Sequence, residues 1–498
     1  MRSCAPVQKI KQDGIALLLL VMLVAMAAIS YFLTAISSDD IKQYQLDSSN
    51  KALQQAKQAL IAYAVTYSDI DSDNDTFPDF PGEVGFLPCP DYNDGALSEG
   101  QEDNGNCGAR SISKIGYLPW RTLGLPSLKD ESGTCLMYAV TGDYKNDESG
   151  FPSYKAAMLN EDSNGMFQVV DEAGVIIQGQ NPDDRIVAII FAPGKPLPGQ
   201  GRAVEQTGSA CGMDYANYSA YLDTDGGTDN SSVTNAAYQV DQFIHATANS
   251  ISYESVNPYN DRFVTISREE IWQALVARSD FIQKMTNLSE ALAMCLSNYA
   301  AVNGFGRLPW PVQASLADYQ QNASYDDNTN AIPGYAGRLP FIVDNSNGDI
   351  GVVGSAELFT VAACNALLVT SGDLVDLQTP GSEYRKLWDN WKDHFFYVTS
   401  QDHSPLNGAA LCGANCITVD GTQRAGLVIF GGSRQPGQVR NGPVAGDIDT
   451  KFDVSNYMEN GNIAVFPDIG GNGAYNTAGT NDIMFCLTAQ PIPVITPC

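Results

Sequence analysis

The sequence of 498 residues is poor in histidine and in basic residues, and both shortages limit its possible functions. Only three histidines occur, His245, His394 and His403, so few side chains could act as a general base or hold zinc. The 28 lysines and arginines face 57 aspartates and glutamates, which gives a formal charge of −29. This charge opposes binding to nucleic acid or to an anionic membrane surface, and no nucleic-acid partner is expected.

The sequence also lacks the short motifs of common enzyme families. It contains no Walker loop for phosphate, no GxSxG nucleophile turn and no HExxH zinc motif. The GGS at 431–433 lies in a Gly/Pro-rich loop and not at a turn from a strand into a helix. We therefore expect a protein that is not an enzyme.

A long apolar stretch runs from Ile15 to Ile36 and contains 22 residues without a charge. As a helix it would be about 33 Å long, which is enough to cross a bilayer. Three basic residues precede it and two aspartates follow it, so the positive-inside rule places the N-terminus in the cytoplasm. The rest of the protein is therefore expected to be exported.

Three interpretations of this stretch differ in what remains after processing. A secretory signal would use the small residues Ala25, Ala27 and Ala28 as a cleavage site and release a soluble protein. An uncleaved stretch would be a single-pass anchor. In the third interpretation, a basic leader ends at Gly14, directly before the apolar run, and the stretch survives as the first part of a working helix.

Helical patterning continues beyond the apolar stretch. Four apolar residues recur every seven positions: Leu46, Leu53, Leu60 and Tyr67. Neither glycine nor proline occurs between Ile15 and Asp75. We therefore predict one helix over residues 15–67, about 80 Å long. Its part at 15–36 would span the membrane, and the remainder would be amphipathic.

This arrangement resembles the type IV pilin and pseudopilin superfamily. In that family, a prepilin peptidase cuts after a glycine on the cytoplasmic side, and the hydrophobic half-helix holds the subunit in the membrane before it packs in the filament. The resemblance implies that residues 1–14 are a leader, that Gly14 is the cleavage glycine and that Ile15 begins the mature chain. It also implies three partners, namely other pilins or pseudopilins, the prepilin peptidase and the inner membrane.

The fifth mature residue is a glutamate in most members of that family, and here it is Leu19. A carboxylate in an apolar bundle is costly unless it meets a positive partner. In the family, the proposed partner is the N-terminal amine of the subunit already in place. A subunit without the carboxylate cannot make this pair with a predecessor, but its own amine can receive the carboxylate of the next subunit. The resemblance therefore implies that Leu19 favours a first-assembled position at the tip.

The exported part of the sequence repeats itself, because five segments recur in the same order in the second half. The pairs are ALIAYAVTY (59–67) with ALAMCLSNY (291–299), FLPCP (86–90) with RLPWP (307–311), YLPW (117–120) with RLPF (338–341), AIIFAPGKPLPGQGR (188–202) with LVIFGGSRQPGQVR (427–440), and NDRFVTI (260–266) with NDIMFCL (481–487).

Each half thus contains a helix, two Leu-Pro turns, short strands and a closing strand. This order predicts an α+β fold in which a helix packs on an antiparallel sheet. We predict a first lobe at 68–278, whose helix begins near residue 46, and a second lobe at 279–498. The segment 268–278 is expected to be a connecting helix. The second lobe would resemble a pilin head without the membrane half.

Ten of the eleven cysteines follow the apolar stretch, and this even number indicates disulfides formed in an oxidising compartment. Zinc binding by Cys412 and Cys416 is an alternative, although no second Cys/His pair lies at a suitable spacing. The C-terminal pair would form a loop that resembles the disulfide loop of many pilins. Sequential pairing, one of about a thousand connectivities, would join Cys89 to Cys107, Cys135 to Cys211, Cys295 to Cys364, Cys412 to Cys416, and Cys486 to Cys498.

One acidic segment is a candidate metal site. Asp69, Asp71, Asp73 and Asp75 occupy alternate positions, as in loops that wrap several oxygens around Ca²⁺. The glycine of an EF-hand loop is absent, and a solvated acidic loop at the end of the helix is the alternative. Calcium is the cofactor that the sequence suggests.

The resemblance to the pilin superfamily implies a pilin-like or pseudopilin-like structural subunit at the tip, or in the initiating complex, of a type IV pilus or a type II secretion pseudopilus. Before assembly it would cross the inner membrane once, with a cytoplasmic N-terminus and a periplasmic body, and it would then reach the cell surface. One alternative is a membrane-anchored, periplasm-facing binding protein that does not polymerise. The other is a secreted hydrolase whose site the sequence does not reveal.

Overall fold

The computed structural model has a mixed α+β fold with several sheets, which confirms the predicted α+β class. Each of the two main sheets contains one parallel strand pair, so the prediction of a wholly antiparallel sheet is wrong. It describes residues 18–27, 38–71, 75–92, 99–103, 107–146, 159–202, 209–212, 215, 217–225, 227–245, 259–303, 305–327, 334–344, 352–407, 411–442, 444–459 and 461–498.

Two helical segments open the described chain. Helix α1 covers residues 18–27, and helix α2 covers Ser38–Thr66 and ends in a 3-10 turn at Tyr67–Asp69. The residues between α1 and α2 lie outside the description, so the continuous helix over 15–67 stays a prediction. Nowhere in the described part of the chain is a helix both long and apolar enough to cross a membrane.

The first sheet is built around a long strand that is buried at every position. This central strand, β5, pairs antiparallel with β2 on one side and with β9 on the other, and β1 pairs with β2. Strands β3, β4 and β8 extend the sheet from the start of β5, and β6 and β7 form a separate hairpin. The bounds are β1 (Lys114–Tyr117), β2 (Met137–Val140), β3 (Phe167–Val170), β4 (Ile176–Gln178), β5 (Ile186–Ala192), β6 (Thr224–Asp225), β7 (Thr228–Asp229), β8 (Asp241–Ile244) and β9 (Arg262–Ser267).

The second sheet has its own long central strand, β17, which pairs antiparallel with β15 and β19. Strand β10 pairs with β15, and β20 covers the outer edge of β19. Strands β16 and β18 complete the sheet, while β11 with β12 and β13 with β14 form small hairpins. The bounds are β10 (Ala336–Arg338), β11 (Ile342–Asp344), β12 (Ser355–Glu357), β13 (Leu367–Leu368), β14 (Leu374–Val375), β15 (Phe395–Thr399), β16 (Ile417–Val419), β17 (Thr422–Phe430), β18 (Ala474–Tyr475), β19 (Ile483–Thr488) and β20 (Ile495–Pro497).

The central path of the two sheets is the same, because β1-β2-β5-β9 corresponds to β10-β15-β17-β19. The final strand of each path also has the same register. In both, the pairing skips one residue of the central strand at the same place, at Val187 in β5 and at Ala425 in β17. From this register, Thr265 in β9 occupies the place that Cys486 occupies in β19.

The Gly/Pro-rich loop after each central strand has the same internal hydrogen bond. The Arg202 guanidinium donates to the Gly194 carbonyl at 2.8 Å, and the Arg440 guanidinium donates to the Gly432 carbonyl at 3.0 Å. In both halves, the arginine at the end of the loop therefore bonds to the backbone near the start of the loop and closes the loop. The repeated sequence segments at 188–202 and 427–440 thus have a common local structure.

The helices of both halves share one apolar core. Helix α2 packs on β5 and β9, and the predicted inner face of α2 is buried at Leu53, Leu60 and Tyr67. The second long helix, α4, packs in the same way on β17 and β19. The remaining helices complete the fold; the bounds are α3 (Arg268–Val276), α4 (Ser279–Val302), α5 (Leu358–Val361), α6 (Glu383–Trp391) and α7 (Asn462–Val465).

Helix α3 lies between β9 and α4, which confirms the connecting helix predicted for 268–278. Its Ser267 N-cap accepts a hydrogen bond from the Glu270 N–H, and this capping box fixes where the helix begins. On its inner face, Trp272 meets Trp391 of α6 edge to face, with 5.7 Å between the ring centroids. Through this contact a single cluster of buried apolar side chains runs from α2 to α4 and α6.

Five disulfides are present, and they pair the ten cysteines in sequential order. This is the pairing set out from the sequence. The last disulfide joins Cys498, directly after β20, to Cys486 in β19 and so fixes the C-terminal strand at the sheet edge. The pairs are Cys89–Cys107, Cys135–Cys211, Cys295–Cys364, Cys412–Cys416 and Cys486–Cys498.

Candidate functional site

Only one of the three residues predicted to act in processing and assembly is described. Gly14 and Ile15 lie outside the described residues. Leu19 lies in α1, where its side chain is 56% exposed within a row of exposed apolar side chains. Cleavage after Gly14 and the tip role of Leu19 stay predictions.

The acidic segment after α2 is held by contacts within the protein. Asp69 forms an ion pair with Arg278 at 2.8 Å. Asp71 accepts hydrogen bonds from two backbone N–H groups, that of Asp75 at 3.2 Å and that of the next residue at 3.0 Å. Asp73 lies outside the described residues. Asp75 accepts a hydrogen bond from the Phe77 N–H at 2.8 Å. All three described carboxylates of the segment are therefore already engaged, and calcium at this loop stays a prediction.

A second group of possible metal ligands surrounds the disulfide between Cys412 and Cys416. His403 and the two sulfurs lie within 4.8 Å of one another. The sulfurs are bonded to each other, however, and zinc binds the thiolate form of cysteine. The Nε2 atom of His403 lies 3.0 Å from the Gln490 carbonyl, which holds the ring in place. This group is therefore a disulfide with a packed histidine beside it.

A set of buried charged side chains lies where the two halves of the chain meet, and we call it the buried charge cluster. It consists of Asp162 from the first half and of Asp393, His394, Arg440 and Lys451 from the second, each at most 3% exposed. The Asp162 carboxylate lies 2.9 Å from His394 Nε2 and 3.7 Å from Arg440. The Asp393 carboxylate lies 2.9 Å from Lys451 Nζ. The cluster therefore contains charge pairs both within the second half and across the junction.

Local structure brings these side chains together. Asp393 and His394 lie in a 3-10 turn at Lys392–His394, which directly follows α6 and precedes β15. In the first half, Asn160 donates to the Asn390 carbonyl at 3.0 Å and to the Asp393 carboxylate at 2.9 Å. These hydrogen bonds hold the Asp162 segment against the end of α6.

The electrostatics of the cluster fit ionised carboxylates. Burial alone would raise the pKa of Asp162, but Arg440 and His394 outweigh it and lower that pKa. The pKa of Asp393 is likewise lowered, because Lys451 and His394 outweigh the effect of burial. The carboxylates of Asp162 and Asp393 lie with His394 at metal-ligand distances, yet two cations already neutralise them. Burial also denies access to a substrate, so the arrangement fits a structural ion network.

Asp482 lies directly before β19, and its pKa is raised, whereas the pKa values of Asp162 and Asp393 are lowered. One carboxylate oxygen accepts a hydrogen bond from the Gly432 N–H at 3.3 Å, and the other has no hydrogen-bond partner among the described residues. Burial, with a further contribution from Glu459, raises its pKa to about 7. Between about pH 4 and pH 7, the Asp482 carboxyl is therefore protonated in the folded protein. In the unfolded chain it is ionised over this range, because an unperturbed aspartate has a pKa of about 3.9.

Replacing Asp482 with asparagine is expected to stabilise the protein in alkali but not in acid. Because the folded pKa is raised, the contribution of Asp482 to the free energy of unfolding falls as pH rises from about 4 to about 7. Asparagine carries no charge at either pH, so Asp482→Asn should gain about 2 kcal/mol at pH 8, after solvent screening is allowed for. Urea unfolding at pH 4 and pH 8 measures this gain.

Asp280→Asn is the matched control, because an Arg278 hydrogen bond lowers the pKa of Asp280. That variant should gain nothing at pH 8. A gain for Asp482→Asn that is the same at both pH values would contradict the proposed protonation.

The buried charge cluster was not found from the sequence. Its five members are spread over 290 positions, from 162 to 451. One local signal exists, because Asp393 and His394 lie between two tryptophans and three further aromatic residues in the segment WDNWKDHFFY (388–397). Charged residues inside such a segment are buried with it and need partners, which is a reason to search for opposite charges elsewhere.

Comparison with known proteins identifies no relative of this chain. No protein-family model matches the chain, and neither a curated protein nor a solved structure shows significant similarity to it.

Proposed function

We propose that the protein is a pilin-like or pseudopilin-like structural subunit at the tip, or in the initiating complex, of a type IV pilus or a type II secretion pseudopilus. In this proposal, α1 belongs to the apolar half-helix, and α2 with the first sheet forms a pilin-like lobe. The second half is a lobe of the same plan without an apolar extension, and the division falls near residue 278. The protein acts by assembly and presentation.

The observation that carries the proposal is the exposed apolar surface of α1. The side chains at residues 18–24 are 56–62% exposed, whereas the inner face of α2 is buried. A contiguous row of large exposed apolar side chains marks an interaction surface. A bilayer before assembly, and neighbouring subunits afterwards, would both cover it. Leu19 supports the tip position because it offers no carboxylate to a subunit assembled earlier.

A membrane-anchored binding protein that does not polymerise is the second candidate. An open groove beside β9 favours it, since that groove provides a surface for a ligand. The anchor would then be uncleaved. A hydrolase has less support, because the buried charge cluster is closed to a substrate.

The start of the mature chain tests the proposal. Co-expression with an active prepilin peptidase should give a protein that begins at Ile15, with a methylated amine, because the family's peptidase cuts after the leader glycine. Intact-mass measurement and N-terminal sequencing identify this start. The matched control is co-expression with an inactive peptidase, which should leave Met1 in place.

A start near Ala28 would instead indicate a secretory signal, and retention of Met1 with the active enzyme would indicate a fixed anchor. The tip position has its own readout, because antibody label on native filaments should be confined to one end. Label at regular intervals along the shaft would contradict the initiating role.

A further inference from the structure

The final strands of the two central paths, β9 and β19, each have an outer edge, and this edge is paired with a further strand only in the second half, among the described residues. In the second half, β20 pairs antiparallel with β19 and closes the edge, with Cys486 opposite Thr496 and Leu487 opposite Ile495. Ile495 also packs against the apolar core from that side. In the first half, no strand of the described residues pairs with the outer edge of the equivalent β9.

Two polar side chains contact the outward carbonyls of β9 instead. Lys57 of α2 donates to the Thr265 carbonyl at 2.8 Å, and Nε2 of His245 lies 3.2 Å from the Phe263 carbonyl. These contacts show that the carbonyls of residues 263 and 265 point away from β5. A lysine over a strand edge is a common means of blocking unwanted pairing. Here the block is the end of a flexible side chain, which can move aside.

A groove of about 280 Å³ follows this edge. Residues 263–265 form its floor, and Gln54 and Lys57 of α2 form one wall. The other wall includes Val169 of β3 and Ile177 of β4, and Ile177 is 61% exposed. The groove thus offers backbone groups at its floor and apolar surface along one wall, which are the two features that bind an added strand.

We propose that this groove binds an extended segment of another polypeptide, which adds to β9 as an antiparallel strand. The second half supplies the template for the occupant, because the equivalent edge already holds the segment PIPVITPC (491–498). The occupant is accordingly a short strand with a β-branched apolar residue at the position of Ile495. The protein's own β20 cannot serve, since Cys498 ties it to Cys486.

The occupant would replace the Lys57 contact with backbone hydrogen bonds. The Lys57 side chain keeps a second partner when it leaves the Thr265 carbonyl, because it also forms an ion pair with Glu270. The inference goes beyond the proposed function and does not depend on it, since strand capture serves a tip subunit and a non-polymerising binding protein equally.

Disulfide trapping tests the proposal directly, because Thr265 lies where Cys486 lies in the second half. The full-length chain carries Thr265→Cys together with Cys4→Ser, and the probe is the synthetic peptide PIPVITPC, activated at its cysteine thiol. The thiolate of residue 265 attacks the activated peptide sulfur, the activating thiol leaves, and a mixed disulfide forms. Trapping should be at least ten times faster than at Thr422→Cys, an exposed strand position in the same Cys4→Ser background.

A peptide with aspartate at the position of Ile495 should lose this advantage. Equal trapping rates at residues 265 and 422, or equal rates for the two peptides, would overturn the proposal. Equal rates are also the result expected if a segment of the same chain fills the groove.

A second measurement covers the case in which the cysteine variant does not fold. Fluorescence anisotropy with a labelled peptide PIPVITPS should show binding that is several times tighter for Lys57→Met than for the native chain, because the Thr265 carbonyl is released. Unchanged or weaker binding would overturn the proposal. Neither measurement involves cleavage at Gly14, so a failure of the strand-binding proposal can be distinguished from a failure of the proposed filament role.

Discussion

Replacing Lys451 with methionine is expected to lower the free energy of unfolding by about 3–5 kcal/mol. Lys451 is 3% exposed and its ammonium lies 2.9 Å from the fully buried carboxylate of Asp393. Without the lysine, this carboxylate stays in the interior with less opposing charge, and an uncompensated buried charge is more costly than the pair. Urea unfolding followed by circular dichroism measures the loss.

The matched control is Lys284→Met, which removes the same side chain from a partly exposed pair. Lys284 lies 2.6 Å from Glu383, and the two side chains are 27% and 31% exposed, so the loss there should be about 1 kcal/mol or less. Adding Asp393→Asn to Lys451→Met should restore part of the stability, since the unpaired charge is removed. Equal losses at Lys451 and Lys284 would show that the buried charge cluster contributes no special stability.

The effect of Lys451→Met also depends on pH. The pKa of Asp393 is lowered in the folded protein, so its ionised form contributes stability above the unfolded aspartate pKa of about 3.9. This contribution is lost as pH falls through the lower, folded pKa. The difference between native and Lys451→Met chains should therefore shrink in strong acid.

Replacing Gly337 with alanine is expected to lower the free energy of unfolding by about 3 kcal/mol or more. Gly337 lies in β10, where the neighbouring segment crosses it so closely that a Cβ atom would overlap the Val312 carbonyl oxygen. That oxygen is fixed, because it accepts a hydrogen bond from the Arg338 N–H at 2.9 Å. The alanine methyl group must therefore displace the backbone at Val312 and disrupt its contact with β10. Thermal unfolding should show a much lower Tm.

Gly201→Ala is the control, because no atom lies within 4 Å of a Cβ added there. Its effect should stay within about 0.5 kcal/mol. The first half offers a second test at Gly116, which has the same place in the first sheet and would put a Cβ 2.6 Å from the Asp91 carbonyl oxygen. A native Tm for Gly337→Ala would contradict the close crossing.

The sequence was informative where a local pattern decides the structure. The repeat at 260–266 and 481–487 identifies strands that share one register, and the segment 268–278, predicted to be a connecting helix, contains α3. The disulfides follow sequential order. The α+β class follows from the same patterns, because each half places a helix of period 3.6 beside short apolar strands.

The sequence was less informative where long-range contacts decide. Aligning the sequences AIIF (188–191) and LVIF (427–430) makes Phe191 equivalent to Phe430. The pairing of the two central strands with β9 and β19 instead makes Phe191 equivalent to Ile429. A continuous apolar strand offers no alternation that would fix its register, so an error of one residue is undetectable. The pairing of Asp162 with His394 is a long-range contact of the same kind, between residues far apart in sequence.

The shared core of α2, α3 and α4 determines how the protein responds to mechanical load. A pull along α2 enters a core that also contains α4 and α6, and Arg278 near the start of α4 donates to the Val65 carbonyl at 2.7 Å, near the end of α2. Tension on the N-terminal helix is therefore carried by both sheets together. We therefore expect such a body to resist extension as one unit.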